Sequence, residues 1–341
     1  MRGLYLTGPG HLELREKEPV APGRGEVQIR VHNAGVCSTD VDYWKNGSSK
    51  LRLPVVLGHE MSGVVTAAGD PACPFQPGDR VIVTNDYYLC GKCRYCLSGD
   101  TNMCVERRSI GSFADGAFAD YMTVPSRMVL PLPAEVTMEE GALTEVIACG
   151  VHGLRQAKAK AGELVLVLGP GIMGMTAALA AQAMGCTVVV AGLTRDSHRL
   201  AAARQMGLCH AVNSETDDLD GLISQLSDGY GADITCECTG SFGGLSRCFA
   251  LTARRGRVIQ IAIPHGAHGI DLSPVIRKEL RYMGSYAKNA GDWDVTLDLM
   301  SRHKMELRPL ISAVLPLEEY AQAFERVGEA KDFKILFDLQ K

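Results

Sequence analysis

Cys37, His59 and Glu60 offer a thiolate, an imidazole and a carboxylate, the donor types that hold zinc with one coordination position left open. Cys37 lies in Gly35-Val36-Cys37-Ser38-Thr39-Asp40, just after the alternating run Val27 to Val31, and His59 and Glu60 follow the apolar run Leu53 to Leu57 and Gly58. Both ends sit where strands give way to loops. Neighbouring residues of a regular strand face opposite ways, so His59 and Glu60 reach one ion only through irregular backbone, which Gly58 permits; otherwise Glu60 stands behind the ligands. A second set, Cys90, Cys93, Cys96 and Cys104, has the spacing C-x2-C-x2-C-x7-C. Four thiolates close a tetrahedron, so a structural zinc is expected in a lobe that the metal folds. The competing bacterial iron-sulfur run spaces its last cysteine three residues on and adds a proline. Glu145 is an acid in the mostly small and apolar stretch 138–152, either an exposed helix residue or a carboxylate that closes the first zinc site.

A third motif joins the apolar run Leu164 to Leu168, the turn Gly169-Pro170-Gly171-Ile172-Met173-Gly174 and an Ala-rich helical segment from Met175 to Met184. Strand, glycine turn and helix in that order let backbone amides receive a pyrophosphate, which predicts a dinucleotide site. The second strand, Thr187 to Val190, would ordinarily end in an acid for the adenosine ribose. Gly192 stands there instead, followed by Leu193, Thr194, Arg195 and, one turn on, Arg199.

The elements that must position these groups divide the 341 residues into two domains. Up to about residue 147 the chain reads as short strands between Gly and Pro turns, a largely β domain. Beyond it, helix 196–206, strand 233–236, helix 244–253 and strand 257–263 alternate as in a parallel doubly wound sheet, and Cys236 and Cys238 on the third strand are read as core. Residues 293–302 read as an amphipathic helix, and the strand 334–338 is expected to rejoin the first domain. His265 and His268, in a Gly-rich loop, are read as solvated. The composition is 46% hydrophobic and the net charge is -4, with 35 basic and 39 acidic residues intermixed, which excludes a basic stripe for nucleic acid or a polybasic membrane patch. Without an apolar leader or a run of membrane-spanning length, the chain is expected in the cytoplasm, its 12 cysteines reduced.

In the order and spacing of Gly35 to Asp40, Gly58-His59-Glu60, Gly78-Asp79-Arg80-Val81, the four-cysteine lobe, Glu145 and Gly169 to Gly174, the sequence resembles the zinc-dependent medium-chain dehydrogenases/reductases, most of all their sorbitol (polyol) dehydrogenase branch. The resemblance covers nearly the whole chain. It implies an α/β protein with a GroES-like catalytic domain (1–147 and 286–341, the structural-zinc lobe at about 88–106) and a Rossmann domain (148–285). It makes Cys37, His59 and Glu60 catalytic zinc ligands, Glu145 a glutamate on the zinc or its bound water, Thr39 the hydroxyl of a proton relay, and Asp40 the carboxylate that orients the imidazole. Gly169, Gly171, Ile172, Met173, Gly174, Gly192, Thr194, Arg195, Arg199, Ile261, Ile263 and Ser285 form the cofactor-binding set.

The implied reaction is hydride transfer between a secondary alcohol of a polyol or cyclitol-like substrate and a nicotinamide cofactor, with two zinc ions per chain. The alternatives are an L-threonine or simple alcohol dehydrogenase and a catalytically silent dinucleotide-binding homologue. Two positions depart from the family pattern. Asp42 replaces the histidine that often ends the relay, and Ser285-Tyr286-Ala287-Lys288 replaces the arginine and tyrosine beside the sugar chain; Lys288 suits a hydroxyl or a small acid. Gly192 with Arg195 leans the cofactor from NAD toward NADP. A homodimer or homotetramer is expected through Arg281 to Ser285.

Overall fold

The computed structural model describes every residue except His265, Ala267, His268 and Lys304, so the reading of His265 and His268 lies outside the described residues. The chain forms two compact units, one of residues 1–145 and 310–341, the other of residues 146–309. Residues 286–309, placed with the catalytic domain in the sequence reading, group with the second unit. Their helix starts at Ala290, three residues before the apolar pattern begins, because the Asp292 carboxylate accepts the Asn289 amide at 2.7 Å and caps the first turn.

In the first unit, the strand Glu26–Val36 pairs with Glu60–Ala68 on one side and Lys334–Asp338 on the other, inside a seven-stranded sheet. Val27, Ile29 and Val31 point inward in alternation, as a half-buried strand requires, and the strand becomes fully buried as it approaches Cys37. Phe118 stacks edge-on against Phe337 and Phe324, and this aromatic core fixes the C-terminal strand against the N-terminal sheet. The register sets Gly35 opposite Glu60 and Val36 opposite Ile335, so Cys37, Glu60 and Lys334 meet at one end of the sheet.

Among its described residues the second unit holds six parallel strands. In chain order they run Leu164–Leu168, Thr187–Gly192, His210–Asn213, Ala232–Glu237, Thr252–Gln260 and Arg281–Gly284, arranged 3-2-1-4-5-6 across the sheet. The order reverses beside Leu164–Leu168, the place where open α/β sheets bind ligands past their strand ends. The helix that follows starts at Ile172, three residues earlier than its Ala-rich run, because Gly171 is its N-cap. Two further glycines make the turn possible: Gly169 has φ +101°, and a Cβ on Gly174 would collide with the Gly169 carbonyl. The fifth strand ends at Gln260, so Ile261 and Ile263 lie in the loop beyond it, Ile263 78% exposed.

Candidate active site

Cys37, His59 and Glu60 present one sulfur, one ring nitrogen and one carboxylate oxygen all within 4.8 Å of one another. Cys37 is the N-cap of the helix Ser38–Asn46, and Asp40 in that helix's first turn is buried. Asp40 accepts the Cys37 amide at 3.0 Å and the Gly58 amide at 3.3 Å, and its Oδ1 lies 3.4 Å from His59 Nδ1. One carboxylate thus fixes both loops and the ring, leaving the other ring nitrogen for a metal. Gly58 takes φ +91°, the irregular backbone needed to turn His59 and Glu60 to the same side, and a Cβ there would strike the Phe118 ring. Burial opposes charge on both Cys37 and His59, yet their mutual hydrogen bond and the Asp40 carboxylate prevail, holding the thiol below and the imidazole above their ordinary ranges.

Glu60 is fully buried, and its Oε2 has no hydrogen-bond partner. A Cβ on Gly35 would collide with that oxygen, so the glycine clears the space into which the carboxylate is aimed. A carboxylate oxygen that accepts no hydrogen bond, beside a thiolate and an imidazole, completes a donor set that fits zinc.

Lys334, which the sequence reading missed, is 3% exposed and donates to Glu60 Oε1 at 2.7 Å; its Nζ is as near to Oε2 but not in hydrogen-bonding geometry. Burial disfavours the ammonium, but the Glu60 charge holds its pKa above the ordinary lysine value. The one local sign was a cation at the head of the apolar strand Lys334–Asp338. Lys334→Met is expected to destabilise the metal-free protein by roughly 3 kcal/mol, since it leaves a buried carboxylate unpaired. Added zinc should recover part of that loss. Urea unfolding with and without zinc checks this, and a midpoint equal to the parent's in the metal-free protein contradicts it.

Glu145 is 8% exposed and accepts a hydrogen bond from Asn85 Nδ2 at 2.9 Å, and it is not one of the three mutually close donors. The exposed Thr39 lies two residues after Cys37, and the exposed Asp42 accepts Asn46 Nδ2 at 2.7 Å.

Cys90, Cys93, Cys96 and Cys104 also converge, all four sulfurs within 4.8 Å. The Cys90 sulfur lies 3.9 Å from that of Cys96 and 3.6 Å from that of Cys104. Thiolates at about 2.3 Å from a tetrahedral zinc stand roughly 3.8 Å apart, so this set fits as well.

In the second unit, Gly192 closes its strand with Thr194 and Arg195 exposed beyond it, while Arg199 is paired with Asp196 at 3.4 Å. Ser285 continues past the edge strand, its amide bonded to the Gln260 carbonyl at 2.9 Å. Lys288 is 3% exposed, its ammonium 5.1 Å above the Trp293 ring and 3.8 Å from the Cys149 sulfur. Among the described residues no helix is long and apolar enough to cross a membrane.

Residues 23–134 match the alcohol dehydrogenase GroES-like domain and residues 173–302 the zinc-binding dehydrogenase domain. The sorbitol dehydrogenase of Halalkalibacterium halodurans is 34% identical over 339 residues, covering 98% of each chain. The D-arabitol-phosphate dehydrogenase of Enterococcus avium is 29% identical over 99% of this chain and 97% of its own. A protein of Sinorhizobium meliloti 1021 assigned as a zinc-binding dehydrogenase, solved bound to NADP, superposes with a TM-score of 0.89 at 27% identity over 99% of this chain and 98% of its own. With both domains matched in order and a relative of this identity aligned end to end, the chain belongs to the zinc-dependent medium-chain dehydrogenases/reductases, a family of oxidoreductases acting on alcohols.

Proposed function

We propose that the protein interconverts a secondary alcohol of a polyol and the corresponding ketone, using a nicotinamide dinucleotide and two zinc ions per chain. The observation that carries this reading is the convergence of the donor atoms of Cys37, His59 and Glu60 within 4.8 Å of one another. Cys37, His59 and Glu60 would hold the catalytic zinc, with Glu145 at the zinc or its water, and the four cysteines of the lobe would hold the structural one. When bound, the metal supplies a Lewis acid that acidifies the alcohol and the dinucleotide supplies the hydride acceptor.

The protein's own part is positioning and proton movement. Asp40 keeps the His59 ring in one orientation, and Lys334 offsets the second negative charge that Glu60 brings beside the Cys37 thiolate. Thr39, in the first turn after Cys37, takes the hydroxyl proton and hands it to solvent at the helix surface, where Asp42 stands in place of a histidine. The Gly169 to Gly174 turn presents backbone amides to the pyrophosphate, and Ile261, Ile263 and Ser285 follow parallel strands at the same end of the sheet. The polyol class is supported by relatives named for sorbitol and D-arabitol phosphate, both polyhydroxyl chains, and by the carboxylates of Glu60 and Glu145. A panel of zinc-loaded assays with polyols, cyclitols, L-threonine and simple alcohols tests it. Turnover on L-threonine or a simple alcohol with none on polyols would replace the proposed substrate class.

The oxidant is NADP or NAD. Gly192, Arg195 and the NADP held by the Sinorhizobium relative speak for a 2'-phosphate; the charges around that position speak against one, as argued below. The strand Arg281–Gly284 ends its sheet among the described residues, with Tyr282 43% exposed, and an open edge is a template for pairing with a second copy. A dimer or tetramer is therefore expected in sedimentation at micromolar concentration, and a monomer there would rule out pairing through this edge.

A further inference from the structure

The strand Thr187–Gly192 ends in a glycine where an acid ordinarily receives the adenosine ribose. A Cβ at Gly192 would lie 2.7 Å from Pro170 Cγ and 3.1 Å from Asp196 Cβ, so a side chain there would force the proline inside the phosphate-binding turn to move. The neighbouring strand carries an acid to the same place. Ser214, just after His210–Asn213, bonds back to the Gly192 carbonyl through its amide at 2.9 Å and its hydroxyl at 3.0 Å. Glu215 then folds over, and its Oε2 accepts the Thr194 amide at 2.8 Å. Asn213 locks the arrangement, donating to Thr194 Oγ1 at 3.1 Å and accepting the Glu215 amide at 3.1 Å.

We infer that Glu215 supplies the ribose-facing carboxylate that the second strand lacks, and that it turns the adenosine end of the site toward NAD and against the 2'-phosphate of NADP. This rests on the dinucleotide-binding reading given above. The charges agree with it. The sequence shows Gly192 where the ribose acid would stand and two arginines beyond it, whereas the folded loop pairs Arg199 with Asp196 and sets Arg195 in the field of Glu215. The bonds from Thr194, with Arg195 behind them, hold the Glu215 carboxyl below the usual carboxylate range, so it stays ionised at neutral pH. The carboxylates of Asp196 and Glu215 oppose the charges of Arg199 and Arg195 and disfavour a phosphate dianion here, while a carboxylate on this loop can accept ribose hydroxyls.

The test is direct titration of the full-length protein with NADH and, separately, NADPH, read by nicotinamide fluorescence, for the parent, Glu215→Gln, Glu215→Lys and Arg195→Ala. The parent should bind NADH at least about tenfold more tightly than NADPH, and Glu215→Gln should remove most of that ratio. Glu215→Lys should reverse it, and raising the salt should shrink the difference, since the charges involved are exposed. Glu215 is on the surface, so these variants are expected to fold as the parent does. A parent that prefers NADPH, Glu215 variants with an unchanged ratio, or a loss of NADPH binding in Arg195→Ala alone would overturn the inference while leaving dinucleotide binding intact. If neither nucleotide binds, the dinucleotide reading itself is wrong and the role of Glu215 falls with it.

Discussion

A Cys37→Ser protein is expected to fold, to hold one zinc per chain where the parent holds two, and to oxidise alcohol at least about a thousandfold more slowly, a loss of roughly 4 kcal/mol of transition-state stabilisation. The fold should survive because Cys37 is the N-cap of Ser38–Asn46, where serine is among the favoured residues. Asp40 still receives the amide of residue 37 and still faces His59, so the local scaffold keeps its bonds. What disappears is the thiolate: a neutral hydroxyl is a poor zinc ligand, and His59 and Glu60 alone are one short of the three protein ligands that a tetrahedral site with one open place requires. Metal analysis and initial rates on the same sample check this. A serine variant with parental turnover would remove Cys37 from the site.

The second large effect lies in the other cluster and has the opposite character. Cys93→Ser should lower the melting temperature by on the order of 10 °C or more and expose the segment 88–106 to proteolysis. That segment has almost no core of its own: Leu97 and Val105 are each 75% exposed, Met103 is 42% exposed, and its helix Arg94–Ser98 is only five residues long. Without a closed four-sulfur site, little apolar burial remains to offset the entropy of ordering the loop. Structural zinc in small domains contributes about 10–16 kcal/mol of binding free energy, far more than a helix of this length supplies. A Cys93→Ser protein as stable and as resistant to protease as the parent would show that the lobe does not need the metal.

The two sites were unequally legible in the sequence. Cysteine spacing and the glycine turn are local patterns, and they pointed to the lobe and the strand-turn-helix unit; the grouping of Cys37 with His59 came from their donor types and the family resemblance. Lys334 is separated from Glu60 by 274 residues and reaches it only because the last strand pairs with Glu26–Val36. No periodicity encodes that meeting. The adenosine end was hidden in the same way: Gly192 and Arg195 are visible in one window, but Glu215 comes from the next strand and the crowding at Gly192 comes from Pro170 in the preceding turn. The helix Ala290–His303 was recognised by its apolar face, while its attachment was not. Asp292 meets His152 at 2.7 Å and also pairs with Arg155, contacts that tie it to the helix Thr144–Gln156 within the second unit.

Cys37, His59 and Glu60 would hold a zinc that supplies the Lewis acid for hydride exchange between an alcohol and a nicotinamide. The most direct test of this role follows the near-ultraviolet absorbance of reduced nicotinamide when sorbitol and related polyols are added to the protein before chelation, after chelation and after zinc is restored. Reduced nicotinamide should accumulate, stop accumulating once the catalytic zinc is removed, and resume when zinc returns. A protein holding two zinc ions per chain that binds the dinucleotide but reduces none of it with any polyol, L-threonine or simple alcohol would contradict the account and leave a dinucleotide-binding protein without catalysis.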